Sequence, residues 1–236
     1  MPVSLLGTLL FFALGLVLIV KGGDLFVDAA VWIAEASGVP QFIIGATVVS
    51  LATTLPELMV SSLGVLRGEV DLAVGNAVGS VTANTGLIMG LSILCLPAVI
   101  RRREFAAKGA LLLAAALALA LGVPAGIVGV TVVAVGTSLP ELVTTLTAIV
   151  KGESSLSIGN IVGANIIDLT LILPVCALLS GGELAVSPRS AALDLPVCFA
   201  LTALGVLPPL ASGRFRRWQG AAMLAGYGAY VWALVR

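Results

Sequence analysis

The chain has 236 residues, of which 59% are hydrophobic and 10% charged, with a mean hydropathy of +1.17; a water-soluble domain carries roughly 45–50% apolar and 25% charged residues. A formal net charge of +0, from 12 basic and 12 acidic residues, argues against nucleic acid as a partner. With no histidine in the chain, His-ligated zinc and Ser-His-Asp chemistry are excluded. Any metal has to be held by oxygen, and nothing points to an enzyme or to a prosthetic group.

At about 20 residues per crossing, apolar stretches of spanning length fall near 5–35, 41–66, 71–99, 106–122, 125–150, 155–180, 191–211 and 217–235. The expected fold is an all-α integral membrane protein with about eight transmembrane helices. An antiparallel soluble bundle fails as an alternative, because nearly every helix is apolar all round and not on one stripe. The first stretch has no basic segment before it and runs on past Lys21, so it is expected to be a retained span and not a secretory signal. In it, Asp24 and Asp28 share a face with Lys21 and read as a local polar face. Turn or charged residues separate the spans, among them Gly38-Val39-Pro40, Arg67-Gly68-Glu69, Arg101-Arg102-Arg103 and Lys151-Gly152-Glu153. Cys95, Cys176 and Cys198 lie singly in apolar runs and read as small core residues. Trp218, Tyr230 and Trp232 suit interfacial anchoring of the last helix, with Tyr227 too deep for that role.

Eight crossings gather Arg101, Arg102, Arg103, Lys108, Lys151, Arg214, Arg216 and Arg217 on one side, against Arg67, Arg189 and Arg236 on the other. The excess of positive charge marks the first side as cytoplasmic. The expectation is a multi-pass cell-membrane protein with both termini extracellular, and with the lipid bilayer as its surroundings.

An internal repeat organises the chain. The run from Gly45 to Leu58, GATVVSLATTLPEL, recurs from Gly129 to Leu142 as GVTVVAVGTSLPEL, an offset of 141 − 57 = 84 residues. The same register pairs Arg67-Gly68-Glu69 with Lys151-Gly152-Glu153, Asn76 with Asn160, Gly79 with Gly163 and Asn84 with Asp168. Three crossings separate equivalent helices, so the second copy enters the membrane in the opposite sense. Such inverted repeats place a binding site near the bilayer midplane. The expected division is a first half, 1–104, with one repeat at about 41–96, and a second half, 105–236, with the other at about 125–180 followed by two C-terminal helices.

Pro56 and Pro140 are expected to break their helices, because proline lacks an N–H and clashes with the preceding turn. In lipid the freed carbonyls need a cavity or a ligand. Glu57 and Glu141 follow them near mid-span, where an unpaired charge costs roughly 3 kcal/mol or more. Lys21 is the one candidate for a structural counter-charge, so a bound cation is the better expectation. Hydroxyls and amides surround each glutamate: Thr53, Thr54, Ser61 and Ser62 in one copy, Thr137, Ser138, Thr144 and Thr145 in the other. The following helices add Asn76, Ser80, Asn84, Asn160, Asn165 and Asp168. Carboxylate, carbonyl and hydroxyl oxygens suit a hard cation such as Ca2+ more than Mg2+, which usually keeps its water. Glycines at 75, 79, 86, 90, 159 and 163 allow the helices to approach closely.

The pair GATVVSLATTLPEL with GNAVGSVTAN, and GVTVVAVGTSLPEL with GNIVGANIID, resembles the two α-repeats of the cation/calcium antiporter superfamily, closest to prokaryotic sodium/calcium exchangers. The resemblance implies exchange of Na+ for Ca2+, with Glu57 and Glu141 as central ligands. It implies further oxygens from Thr53, Thr54, Thr137 and Ser138, with Ser80, Asn84 and Asp168 completing the sites, and a first long helix that slides against the core. H+ in place of Na+ is the alternative counter-ion, and no protein partner is implied. The chain departs from the family pattern at Ala164, where a serine is usual, and at Val81, where an asparagine is usual. Its length also leaves room for about eight helices where the family usually has ten, with two helices between the repeats missing.

Overall fold

The computed structural model describes residues 5–96, 102–120 and 138–235, all of the regular structure there being helical. We number the helices α1 (Leu5–Ser37), α2 (Gln41–Thr53), α3 (Leu55–Leu66), α4 (Val70–Cys95), α5 (Arg102–Ala120), α6 (Leu139–Val150), α7 (Ser154–Leu179), α8 (Ser190–Ser212) and α9 (Arg217–Val235). Among the described residues α4, α7 and α8 are each long and apolar enough to cross a bilayer, and α2 with α3 is so only when the bent pair is taken together. The remaining helices fall at the other expected span positions. At 33 residues and about 1.5 Å per residue, α1 is roughly 50 Å long, more than a hydrocarbon core of about 30 Å.

The expectation that proline interrupts a helix from within is corrected. The bend between α2 and α3 is 43°, and it falls at Thr54, whose φ of −87° and ψ of 0° leave the helical region. Pro56 then sits in the first turn of α3, where its missing N–H has no intrahelical partner to lose. Pro140 holds the same place in α6, after Ser138 at φ −79° and ψ 8°. Proline therefore lies in the first turn of each helix, and in the first repeat the residue two before it makes the break.

The repeat is legible in the backbone. Gly68 and Gly152 take positive φ of 81° and 79°, and each is followed by a glutamate whose N–H reaches back five residues, Glu69 to the Gly64 carbonyl at 2.9 Å and Glu153 to the Ala148 carbonyl at 2.7 Å. These helix-ending turns coincide under the 84-residue offset, as do the π-helical turns that begin at Asn84 and Asp168. Two further π-helical turns, Gly45–Val49 and Ser190–Asp194, have no signal in the hydrophobic pattern.

Inner helices α4 and α7 supply most of the core, with Val74, Ala77, Val78, Val81, Ile158, Ile161 and Val162 buried. α2 lies along α7 at backbone contact. A methyl group at Gly159 would meet the Phe42 carbonyl, and one at Gly163 would meet Ser50 Oγ and the Ala46 backbone. Gly159→Ala is therefore expected to cost roughly 1–3 kcal/mol and to lower the thermal midpoint of the detergent-solubilised protein. Gly22→Ala, with open space around it, is the control expected to leave the midpoint unchanged. Across the bundle, α5 packs on α8, α9 on α4 and α1 on α6. Leu55, Met59, Leu63 and Leu66 of α3 point outward, as suits a lipid-facing stripe.

Lys151, at the end of α6, ties α1 to that helix. Its Nζ lies 2.7 Å from Asp24 Oδ1 and 2.6 Å from Asp28 Oδ1 and donates to the Asp24 carbonyl at 3.1 Å. The polar face expected to be local to α1 is thus a clamp between distant parts of the chain. Hydrogen bonds that Lys151 donates to Asp24 and then Asp28 hold its ammonium above the ordinary range. With the folded value raised, the contribution is fully present below the ordinary lysine range and is lost only as pH rises through the raised value. Lys151→Met is expected to leave overall stability little changed, since the pair is exposed, and to increase the spin-label distance spread between α1 and α6. An unchanged spread would rule out the clamp.

Two smaller expectations change, those for Tyr230 and Cys95. Tyr230 is buried instead of interfacial, while Trp218 and Trp232 are exposed, and Cys95 is exposed while Cys176 and Cys198 are buried.

Candidate functional site

Glu57 and Glu141 stand in the first turns of α3 and α6, where the positive end of the helix favours a carboxylate. Both are buried, at 1% and 0% exposure, so in a bilayer neither has water to solvate it. Each meets the broken turn of the other repeat: Ser138 Oγ donates to Glu57 Oε1 at 3.3 Å, and Thr54 Oγ1 approaches Glu141 Oε1 at 3.3 Å. These two contacts are one contact under the 84-residue offset, since Thr54 maps to Ser138 and Glu57 to Glu141. The Thr54 hydroxyl has a single proton, and its shorter bond is to the Ser50 carbonyl at 2.7 Å. Its lone pairs are therefore free to face a cation beside Glu141.

A shell of amides fixes the broken turns. Thr53 Oγ1 donates to Asn160 Oδ1 at 3.2 Å, and Asn160 Nδ2 donates to Thr144 Oγ1 at 3.1 Å. In the other repeat Asn76 Nδ2 donates to Ser61 Oγ at 3.0 Å. Asn76 and Asn160 are thus positioning groups within the fold, a role that spacing alone did not distinguish from ligation. Thr53 also lies within hydrogen-bonding reach of Glu141.

Toward the middle of α4 and α7 the polar atoms are open. Ser80 Oγ, Asn84 Oδ1, Glu141 Oε2, Asn165 Oδ1 and both carboxylate oxygens of Asp168 are buried and have no hydrogen-bond partner among the described residues. Buried polar atoms are seldom left so, and a group of them that is rich in oxygen is what a hard cation needs. Asn84 and Asp168 each begin a π-helical turn, a local distortion common at functional sites.

Asp168 lies within electrostatic range of both Glu57 and Glu141, and Glu141 within range of Glu57. The ion pairs found among the described residues are those of Lys151 with Asp24 and Asp28, and neither Glu141 nor Asp168 takes part in them. Among the described residues no three acidic or cysteine side chains converge tightly enough to hold one metal ion by themselves. Hydroxyl, amide and backbone oxygens have to complete any coordination shell. Of the residues expected at the site, Glu57, Glu141, Asp168, Asn84, Ser80, Thr53, Thr54 and Ser138 are all buried; Thr137 lies outside the described residues. A cleft of about 310 Å3 between α1 and the broken turns, lined in part by Gly22, Phe26, Thr53, Pro140 and Thr144, runs to the edge of this cluster.

A bent helix pair, an internal repeat in sequence and backbone, and buried acids where the two copies meet define a membrane ion-exchanger fold. The sodium–calcium exchanger NCX_Mj has the same fold, with a TM-score of 0.82 at 25% identity over 95% of this chain and 97% of that one. The family profile described as sodium/calcium exchanger protein matches twice, over residues 7–121 and 105–236, and the chain belongs to that family. Relatives of near-full length include the sodium/calcium exchanger MaX1 of Methanosarcina acetivorans, 24% identical over 94% of this chain and 97% of its own length. The inner membrane protein YrbG of Escherichia coli is 29% identical over 72% of this chain and 79% of its own length. The family's members are transporters and not enzymes. The two profile matches overlap on residues 105–121, within and just past α5, so one helix serves the end of the first match and the start of the second.

Proposed function

We propose that this protein exchanges Na+ for Ca2+ across the membrane by alternating access, with Glu57, Glu141 and Asp168 supplying the charge that holds the transported ion. The observation that carries the reading is a set of three buried carboxylates from both repeats, two of which, Glu141 and Asp168, keep oxygens with no hydrogen-bond partner among the described residues. Ser80, Asn84, Thr53, Thr54 and Ser138 add neutral oxygens, and Thr137 is the second-repeat counterpart of Thr53. The two halves, 1–104 and 105–236, rock about the cluster, and both termini are extracellular, in keeping with the distribution of Lys and Arg.

A carboxylate cluster can be emptied of Ca2+ only if other positive charge replaces it, and competition for that negative charge couples the two fluxes. Proteoliposomes loaded with Na+ should take up Ca2+ when diluted into Na+-free buffer. Uptake driven equally well by an outward H+ gradient without Na+ would make the proton the counter-ion, and uptake needing neither gradient would end the exchanger reading.

Ala164 stands where Ser80 stands in the first repeat and is fully buried. Ala164→Ser adds one hydroxyl facing the cluster and is expected to lower the Na+ concentration for half-maximal exchange by roughly two- to fivefold, in line with a neutral oxygen contact of about 0.5–1 kcal/mol. Unaltered Na+ dependence would mean that Na+ does not bind beside residue 164.

A further inference from the structure

Asp194 is a buried acid that the central cluster does not use. It closes the π-helical turn Ser190–Asp194 of α8, and Ser190, Cys198 and Thr202 are buried on the same face at four-residue spacing. Tyr230 of α9 donates its hydroxyl to Asp194 Oδ1 at 2.9 Å, while Oδ2 has no hydrogen-bond partner among the described residues. A charged carboxylate is expensive in such surroundings, and intramembrane acids of this kind commonly carry protons. The cation that acts on it is Arg189, whose guanidinium is occupied in donating to the Leu234 carbonyl at 2.8 Å at the end of α9.

The polar stripe continues inward. Cys198 lies against Thr82 of α4 and within electrostatic range of both Asp194 and Asp168. The other groups that act on Asp194 are the Ser190 hydroxyl of its own helix and the Tyr230 phenol of α9, with Tyr227 beyond Tyr230 and the uncharged Thr82 of α4 against Cys198. Lys108 of α5 is engaged elsewhere, donating to the Ala46 carbonyl at 3.2 Å. Asp194 is thus the acid placed between the Arg189 end of α8 and the central carboxylates.

We propose that Asp194 is a proton-binding site, loaded from the Arg189 end of α8, whose protonation weakens cation binding at the Glu57–Glu141–Asp168 cluster. The proposal rests on the cation-binding reading of that cluster. Loss of a negative charge near a bound cation lowers its affinity over distances longer than any hydrogen bond, because the intervening medium screens poorly.

The test is binding of radiolabelled Ca2+ to the purified full chain between about pH 5.5 and 8.5, in wild type, Asp194→Asn and Tyr230→Phe. Wild-type affinity is expected to fall as pH is lowered. Asp194→Asn is permanently neutral and should bind roughly tenfold more weakly at high pH, with a shallower pH dependence that meets wild type at low pH. Tyr230→Phe keeps the carboxyl but removes a donor to its charged form, and should shift the decline to higher pH. It decides the matter if Asp194→Asn does not fold. A purely structural Asp194–Tyr230 bond would lower thermal stability in the variants and leave the shape of the pH curve unchanged, which overturns the proposal while leaving the central site intact. Absence of Ca2+ binding by the wild type at every pH would overturn both.

Discussion

Glu57→Gln and Glu141→Gln should each reduce Na+-driven Ca2+ uptake to the level of protein-free vesicles. Both side chains are buried at the start of a helix and keep their shape on amidation, so the change is one of charge alone. At about 4 Å and an effective dielectric of about 20, one unit of charge is worth on the order of 4 kcal/mol against a monovalent ion, close to a thousandfold in affinity, and more against Ca2+. The reciprocal contacts sharpen the expectation. Ser138 reaches Glu57 and Thr54 reaches Glu141, so either substitution alters the surroundings of a hydroxyl that belongs to the opposite repeat. Both variants should remain folded, because the amide is the same shape as the carboxyl and its oxygen accepts the same hydrogen bonds. Preserved uptake in both, with normal yield and thermal stability, would remove these residues from the transport site.

Asp168→Asn should weaken Ca2+ binding by roughly ten- to a hundredfold, less than either glutamate change. Asp168 and Asn84 are equivalent under the repeat, both buried and each opening a π-helical turn. The site is therefore symmetric in backbone and unequal in charge, with one half bearing a carboxylate where the other has an amide. Asn84→Asp combined with Asp168→Asn moves that charge to the other half without altering the total. An ion bound near the pseudo-twofold axis would feel the exchange weakly, and the double variant should recover most of the lost affinity. An ion held against α7 alone would gain nothing from it. Isothermal binding of Ca2+ to the single and double variants separates the two arrangements, and the non-additivity of the pair measures their coupling.

Much of this arrangement of buried polar residues is legible in the chain alone. The 84-residue register placed Glu57 against Glu141 and Asn84 against Asp168 because side chains held by one backbone geometry recur with that geometry. The Arg67-Gly68-Glu69 and Lys151-Gly152-Glu153 turns show how closely it does so. What the sequence hid depended on contacts between distant segments. Nothing near Thr54 states that its hydroxyl meets Glu141, and nothing near Asp24 states that its partner is Lys151 instead of Lys21, three residues away. The break itself was misplaced by two residues because proline is as acceptable in the first turn of a helix as it is harmful inside one. π-helical turns leave no mark on hydrophobic periodicity, so the distortion at Asn84 and Asp168 was invisible although both residues were named. Tyr230 looked like an interfacial anchor until its partner, Asp194, appeared on a neighbouring helix.

The crossed contacts also bear on how such a protein can arise and assemble. Each broken turn keeps its own backbone in order but lends its hydroxyl to the other repeat's glutamate. A single half therefore holds an acid without the hydroxyl that meets it and a hydroxyl without its acid. Either half made alone would have to find a second half in the opposite orientation before it had a complete site. An ancestral half-length chain could work only if it was inserted in the membrane both ways round, and fusion of two copies into one polypeptide would have fixed a pairing that chance insertion had to supply before.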